Sequence, residues 1–495
     1  MPLNTLRKFA PIALVAASTL GLGATGAAPA GRRVDAPQWV KNAVFYQIFP
    51  ERFANGNKRN DPPGVQPWGG VPTPNNFFGG DLAGIRQHIG YLRRLGVTAI
   101  YLNPIFQAPS NHKYDTTNYL KIDPHFGTLA DFRALVHDLH AAHIRVILDG
   151  VFNHTGTTFH AFKEAVAKGP TSPYWTWYTF YGFPVVEQPK PNYASWWGLW
   201  SLPKLNYANP AVRSYILDKV VPFWGRQGID GWRLDVPNEI TQPGFWQDFR
   251  KAVKAINPDA YLVGEIWTDP RAWIRGNKFD ATMNYPFRDA VLGFAAGKTS
   301  PSAFDATLAA QRADEGTATD GMFNLLGSHD TERLLTAMGG DAARQRLAAL
   351  VQFTYPGAPV IYYGDEIGMS GPKDPGDRGC FDWNRKHWNL ATHAFYRRLI
   401  ALRKAHPALR TGSFQTLLTD DRQDVFAYER QLGRDRLVVV LNAASASADV
   451  TLPAGGFPDG TRLTDLLTGD RHVVQAGHVE LPHLSLGGAL LVRSR

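Results

Sequence analysis

Four short segments of this 495-residue chain end in side chains able to do acid–base and nucleophilic chemistry. In order they are Asp149 to His154 (DGVFNH), Gly231 to Asp235 (GWRLD), Gly264 to Trp267 (GEIW) and Ser328 to Asp330 (SHD). Any one acid after an apolar run has a plain explanation, because such residues cap the helix that follows a strand. Four in one chain call for chemistry. Arg233 and Asp235 stand two apart, so on a strand they share a face, and a fixed guanidinium favours the ionised carboxylate. That suits Asp235 as a nucleophile. Glu265, flanked by Ile266 and Trp267, is expected in an apolar neighbourhood that favours the neutral acid, which suits a proton donor. Two carboxyl groups with pKa values pushed apart are the pair needed to cleave a glycosidic bond. Asp330, a third acid, would grip hydroxyl groups and help keep Glu265 protonated by like-charge repulsion. His154 and His329 suit hydrogen bonds to those hydroxyls. The competing reading, a metal bound by these histidines, suffers because neither has a second His at ligand spacing.

These segments need a scaffold that brings distant strand ends together. Eight β-rich runs alternate with helical patterns: Val44–Phe49, Ala99–Asn103, Arg145–Asp149, Ile229–Asp235, Ala260–Glu265, Asp280–Asn284, Phe323–Gly327 and Pro359–Tyr363. Between the second and third runs, Phe132, Leu135, Val136 and Leu139 keep helical spacing. Eight such units predict an α/β fold, a closed (β/α)8 TIM barrel over residues 31–405, with reactive groups where strands end. A doubly wound open sheet is disfavoured, since no glycine-rich phosphate loop follows the first strand. An insertion after the third strand, about 155–205, is crowded with Trp and Tyr; loops of that length are usually functional. From 406 to 495 the pattern changes to alternating strands and turns such as Asp424–Glu429 and Arg436–Asn442, predicting a C-terminal antiparallel β-sandwich.

Composition sets the outer limits. An apolar fraction of 44% excludes a disordered chain. A single Cys excludes disulfide frameworks and Cys-based metal cages. Lys and Arg number 52 against 43 Asp and Glu, a balance of +9, without a basic run; no nucleic-acid partner is expected. Residues 1–30 carry Arg7 and Lys8, the apolar stretch Ala10 to Leu22, then Ala28-Pro29-Ala30, the order of a cleaved secretory signal peptide. The expected product is secreted or periplasmic, with no membrane attachment after cleavage.

A loop after the first strand gathers Asn55, Asn57, Asn60, Asp61, Gly79 and Asp81. Hard oxygen donors at short spacing suit calcium; the alternative is an ordinary Asn/Asp turn.

The four motifs, in this order and at these separations, resemble the signature regions of the α-amylase family of glycoside hydrolases. Leu202–Asn206 (LPKLN) and His112–Thr116 (HKYDT) are similar to the neopullulanase, cyclomaltodextrinase and maltogenic amylase group, which usually has Met where Leu202 stands. The resemblance implies Asp235 as nucleophile, Glu265 as acid/base and Asp330 as transition-state stabiliser, with retention of anomeric configuration. It implies Tyr114 beneath the sugar at the cleaved bond, Asp149, Arg233, His154 and His329 holding the site, and the Asn55–Asp81 loop as a structural calcium site, where the group more often has Asp at the place of Asn57. In α-amylases proper the residue matching Asn153 also helps to bind calcium; that role is not carried over. The implied partner is an α-glucan oligo- or polysaccharide: starch, pullulan, cyclodextrins or maltooligosaccharides. Trp267, with Trp196, Trp197 or Trp200, is expected at outer subsites, because sugar C–H faces pack on indole. The group carries an extra N-terminal β-domain that builds a dimer; only a short stretch separates residue 30 from the first strand here, so a monomer with a more open cleft is expected. A glucanotransferase or isomerase on the same scaffold is the alternative, and a non-catalytic carbohydrate binder a remote one.

Overall fold

The computed structural model describes residues 35–494; the predicted signal peptide lies outside them. Eight parallel strands form the central sheet: β1 (Phe45–Ile48), β2 (Ala99–Leu102), β5 (Arg145–Gly150), β6 (Gly231–Leu234), β7 (Tyr261–Gly264), β8 (Ala281–Thr282), β9 (Phe323–Leu325) and β10 (Ala358–Tyr362). A short hairpin of β3 (Phe106–Gln107) and β4 (Asn118–Ile122) stands apart from it. β1 pairs with β10, β10 with β9, and a Met283–Phe323 bridge joins the β8 side to β9. The sheet closes on itself. All eight predicted runs coincide with barrel strands. The predicted amphipathic stripe lies on the helix Leu129–Ala141, with Phe132, Leu135, Val136 and Leu139 buried and a Thr128/Asp131 capping box at its start.

The period of two along each strand explains both the core and the site. Phe45, Ala99, Tyr101, Ile147, Tyr261, Val263 and Phe323 fill the barrel interior, while Tyr46, Ile100, Val146, Leu148, Trp232 and Leu262 face the helices. Continuing the inward series toward the C-terminal ends reaches Gln47, Asn103, Asp149, Arg233 and Glu265, and one step further on β6, Asp235. A polar layer therefore caps an apolar interior. Strand β6 must pass close to β7: a Cβ on Gly231 would lie 2.1 Å from the Tyr261 carbonyl oxygen, so only glycine fits.

The insertion holds the helix His160–Lys168 and a small aromatic core, in which Trp175 stacks on Phe180 at 4.1 Å and Phe162 meets Tyr178 at 5.0 Å. It returns to the barrel through a His154–Lys204 bridge. After the helix Leu390–Ala405, strands from Ser413 onward form a six-stranded antiparallel sheet and a two-stranded one, Ala448–Pro453 with His478–Leu484. Val425, Val438, Val440, Leu452, Val479 and Leu491 pack between them. No helix among the described residues is long and apolar enough to cross a membrane.

Candidate active site

Arg233, fully buried, is the hub of the polar layer. Its Nη1 donates to Asp149 at 2.8 Å and to Asp235 Oδ1 at 2.9 Å, and its Nη2 lies 2.9 Å from Glu265 Oε2. Three carboxyl groups from three successive strands thus share one cation. Asp330 joins them, with Oδ2 3.4 Å from His329 Nε2 and Oδ1 3.8 Å from Arg378 Nη2. A second chain of hydrogen bonds fixes the barrel floor. Gln47 Nε2 donates to His329 Nδ1, so His329 carries its proton on Nε2 and faces the Tyr114 hydroxyl at 2.5 Å. Tyr114 and Tyr101 both donate to Asp149 Oδ2, at 2.8 and 2.6 Å.

Two electrostatic expectations need correction. Asp235 does not sit low: its carboxyl is held well above the ordinary range. Burial is the main cause, and the charges of Glu265 and Asp149 add to it; Arg233 opposes them but is divided among three acids. Glu265 is not in an apolar pocket. Its Oε2 accepts the Val236 backbone N–H at 2.9 Å and its Oε1 accepts the Trp267 indole N–H at 3.1 Å. Ile266 is buried as expected, but Trp267 presents its N–H. Asp330 is itself pushed up to about 7, first by burial and then by the Glu265 charge. Burial takes His154 down to about 3 and His329 well below its usual value, so both rings are neutral.

Val236, between nucleophile candidate and Pro237, has φ 33° and ψ 53°. A β-branched residue in the left-handed region is strained by about 1–3 kcal/mol, and here the strain aims an N–H at the proposed acid.

A cavity of about 370 Å³ opens onto Asp235, Glu265, Asp330, Tyr114, His154 and Trp196. Asp149, Arg233 and His329 do not line it; they lie one layer deeper and position the residues that do. The ring nitrogens of His154 are engaged, Nδ1 with Asn153 and Nε2 with the Tyr114 carbonyl, and those of His329 with Gln47 and Tyr114. Neither histidine has a nitrogen left for a metal. Trp196 stacks on Trp197 at 4.5 Å, and Trp197, Trp200 and Trp267 are exposed, Trp197 to 81%. Sequence reasoning missed Arg378 and Asp374 on the cavity wall, in the loop after β10, where Arg378 Nη1 meets Asp374 at 3.2 Å. The run KDPGDR was the available signal. It also missed Tyr285, which stacks beneath Trp267 at 3.7 Å and 10°.

The loop after β1 keeps two polar atoms unmet. The Oδ1 atoms of Asn55 and Asn60 are buried without a partner. Gly79 has φ +82°, and a Cβ there would come within 2.4 Å of both Asn55 Nδ2 and Asp61 Oδ1. Asp61 Oδ1 accepts from Asn55 Nδ2 at 2.7 Å, so the free donors in this loop are the two asparagine oxygens, hard ligands of the kind calcium takes. Asn57 and Asp81 serve the loop itself: Asn57 Oδ1 accepts from Arg59 N, and Asp81 accepts from Gly56, Asn57 and Gly84 backbone N–H groups. Among the described residues no three His, Cys, Asp or Glu side chains gather at a metal-ligand cluster.

A parallel barrel whose C-terminal rim pairs two carboxyl groups across one arginine defines a class, the barrel enzymes equipped for glycosidic bond cleavage. Residues 47–390 match the α-amylase catalytic domain and residues 414–490 the neopullulanase-like C-terminal domain. The chain belongs to the α-amylase family and is a glycoside hydrolase. It is 47% identical over 451 residues to a cyclomaltodextrinase of Geobacillus thermopakistaniensis, covering 90% of this chain and 76% of that one. It is 44% identical over 438 residues to an intracellular maltogenic amylase of Bacillus subtilis, covering 88% and 74%. The cyclic α-maltosyl-(1→6)-maltose hydrolase of Arthrobacter globiformis, in complex with cyclic α-maltosyl-(1→6)-maltose, superimposes with a TM-score of 0.85 at 43% identity, covering 93% of this chain and all of that one.

Proposed function

We propose that the chain is an exported, retaining α-glucan hydrolase acting on α-1,4 bonds, and on α-1,6 bonds as a second target, in cyclodextrins, maltooligosaccharides, pullulan and starch. One observation carries the reading: Asp235 and Glu265 are held by two nitrogens of the same buried guanidinium, on the wall of one cavity. Asp235 Oδ1 is fixed by Arg233, and Oδ2 attacks the anomeric carbon. The Val236 N–H and the nearby Arg233 charge hold Oε2 of Glu265 as the acceptor, so Oε1 carries the proton that passes to the departing glycosidic oxygen. Water then enters, Glu265 takes its proton, and the C1–Asp235 bond breaks. Two inversions at C1 give net retention. Asp330 binds hydroxyls of the distorted sugar, and the Tyr114 ring, its hydroxyl held by Asp149 and His329, stacks beneath it. The names of the relatives, two for cyclic substrates and one for maltose, support small and cyclic α-glucans. Export rests on the leader's sequence alone, since one relative is intracellular. Calcium, held by Asn55, Asn60, Asp61 and the Gly79 carbonyl, would stiffen the loop after β1.

The test is a product profile on cyclodextrins, pullulan and starch, with the anomer of the first product read by NMR. The α-anomer is expected, and Asp235→Asn should lose activity by about 10⁴-fold or more. A β-anomer, or full activity in that variant, overturns the mechanism. Dominant transfer products at high sugar concentration would make the chain a transferase. N-terminal sequencing of protein recovered outside the cytoplasm tests export.

A further inference from the structure

Where the helix Ile89–Leu95 meets the helix Leu390–Ala405 on the outside of the barrel, a cleft of about 170 Å³ is ringed by Arg94, Arg385, His393 and Arg397. It shares no residue with the catalytic cavity. Arg94 is in the last turn of the first helix, Arg385 in the turn Arg385–His387, and His393 and Arg397 one turn apart on the second helix. The floor is aromatic. Tyr91 and Trp388 are buried, His393 stacks on Tyr91 at 6.2 Å and 16°, and the Arg385 guanidinium lies 5.5 Å over Trp388.

Surface arginines are ordinarily solvated or paired, so a cluster of them alone says little. Three facts set this one apart. All three arginines are exposed, and among the described residues none of their guanidinium groups makes an ion pair or a hydrogen bond. The nearest acid in sequence, Asp382, is already paired with His387 at 2.7 Å. Nε2 of His393 is buried without any partner, in a ring that burial and the charges of Arg397 and Arg385 keep neutral. Positive charge and an unpartnered nitrogen therefore meet in one cleft.

We infer that this cleft binds a small dianion through a phosphate group. Guanidinium forks match the tetrahedral oxygens bidentately, and His393 supplies one further hydrogen bond. The Tyr91–Trp388 floor leaves room for a ring attached to that phosphate, so inorganic phosphate and a hexose phosphate share the chemistry.

The experiment is calorimetry and thermal unfolding of the full chain with inorganic phosphate, with glucose 1-phosphate, and with chloride at matched ionic strength. Binding of one or both phosphates is expected, with a rise in Tm that chloride does not produce. Arg385→Ala/Arg397→Ala should weaken it by at least about tenfold, as should the charge reversal Arg397→Glu, with cyclodextrin hydrolysis unchanged. Tighter binding of the hexose phosphate identifies a phosphosugar, and equal binding identifies free phosphate. A response equal to that of chloride, or binding that survives in the double variant, overturns the assignment.

Discussion

The indole N–H of Trp267 donates to Glu265 Oε1 at 3.1 Å while the same indole lies flat on Tyr285, 3.7 Å away. An exposed residue expected to serve only as a sugar platform is therefore tied to the proposed proton donor. Tyr285 fixes the indole plane, and the plane fixes which lone pair of Oε1 remains open to the cavity.

Trp267→Phe keeps the stack and removes the hydrogen bond. The loss should be about tenfold in kcat/KM, the worth of one hydrogen bond that strengthens as Glu265 gives up its proton. It should grow with leaving-group pKa along a series of aryl α-maltosides, because poor leaving groups depend most on a well-aimed acid. A platform role alone predicts a rise in KM that is the same across the series.

Removing the hub tests the shared cation. Arg233→Ala leaves Asp149, Asp235 and Glu265 buried with no counter-charge, and breaking a buried pair in this way costs about 3–5 kcal/mol. The deficit against the parent protein should shrink from pH 7.5 to pH 5, since the orphaned carboxyl groups can take up protons. Denaturant unfolding at the two pH values measures it. A deficit independent of pH would mean that the loss is one of packing.

His154 links the site to acid stability. Its ordinary pKa of 6.5 falls to about 3 in the fold. Between those values the unfolded chain binds a proton that the folded ring refuses, so stability is complete above 6.5 and declines as pH falls. At pH 5 this residue alone should account for about 2 kcal/mol, at 1.36 kcal/mol per pK unit. His154→Gln should flatten the fall in urea midpoint between pH 7 and pH 5. His329 acts in the same direction, so part of the slope persists. Equal slopes in parent and variant would sink the idea.

The barrel was legible because each parallel strand, covered on both faces, is a short apolar run between helical patterns. The period of two then placed Arg233 and Asp235 side by side before any coordinates. What the residue order could not carry was direction and sharing. Trp267 looked apolar by type, yet it is its N–H that meets Glu265. Arg233 looked like a private partner of Asp235, yet it serves three acids, and burial outweighs what remains. Arg378 and Asp374 reach the cavity from the loop after β10, where the run KDPGDR reads as an ordinary turn and only barrel closure brings it beside the other acids.

The loop after β1 offers the last test, and its two readings part cleanly. An ordinary Asn/Asp turn satisfies its own oxygens, as Asn57 and Asp81 do here. The buried and unpartnered oxygens of Asn55 and Asn60 are what such a turn lacks reason to keep, since an unmet buried acceptor costs about 1–3 kcal/mol. A bound calcium at 100 times its Kd would instead add about 2.7 kcal/mol. Chelation should then lower Tm by several degrees, and calcium should restore it where magnesium, which demands a tighter octahedron, does not. Asn60→Ala should abolish the response. Gly79→Ala should do so at a greater loss of stability, because its Cβ would collide with Asn55 and Asp61 on a backbone at φ +82°. Activity at a temperature well below Tm should change little, since the loop touches neither Asp235 nor Glu265. If Tm is the same with chelator and with calcium, the loop is a turn and the two asparagine oxygens are met by water.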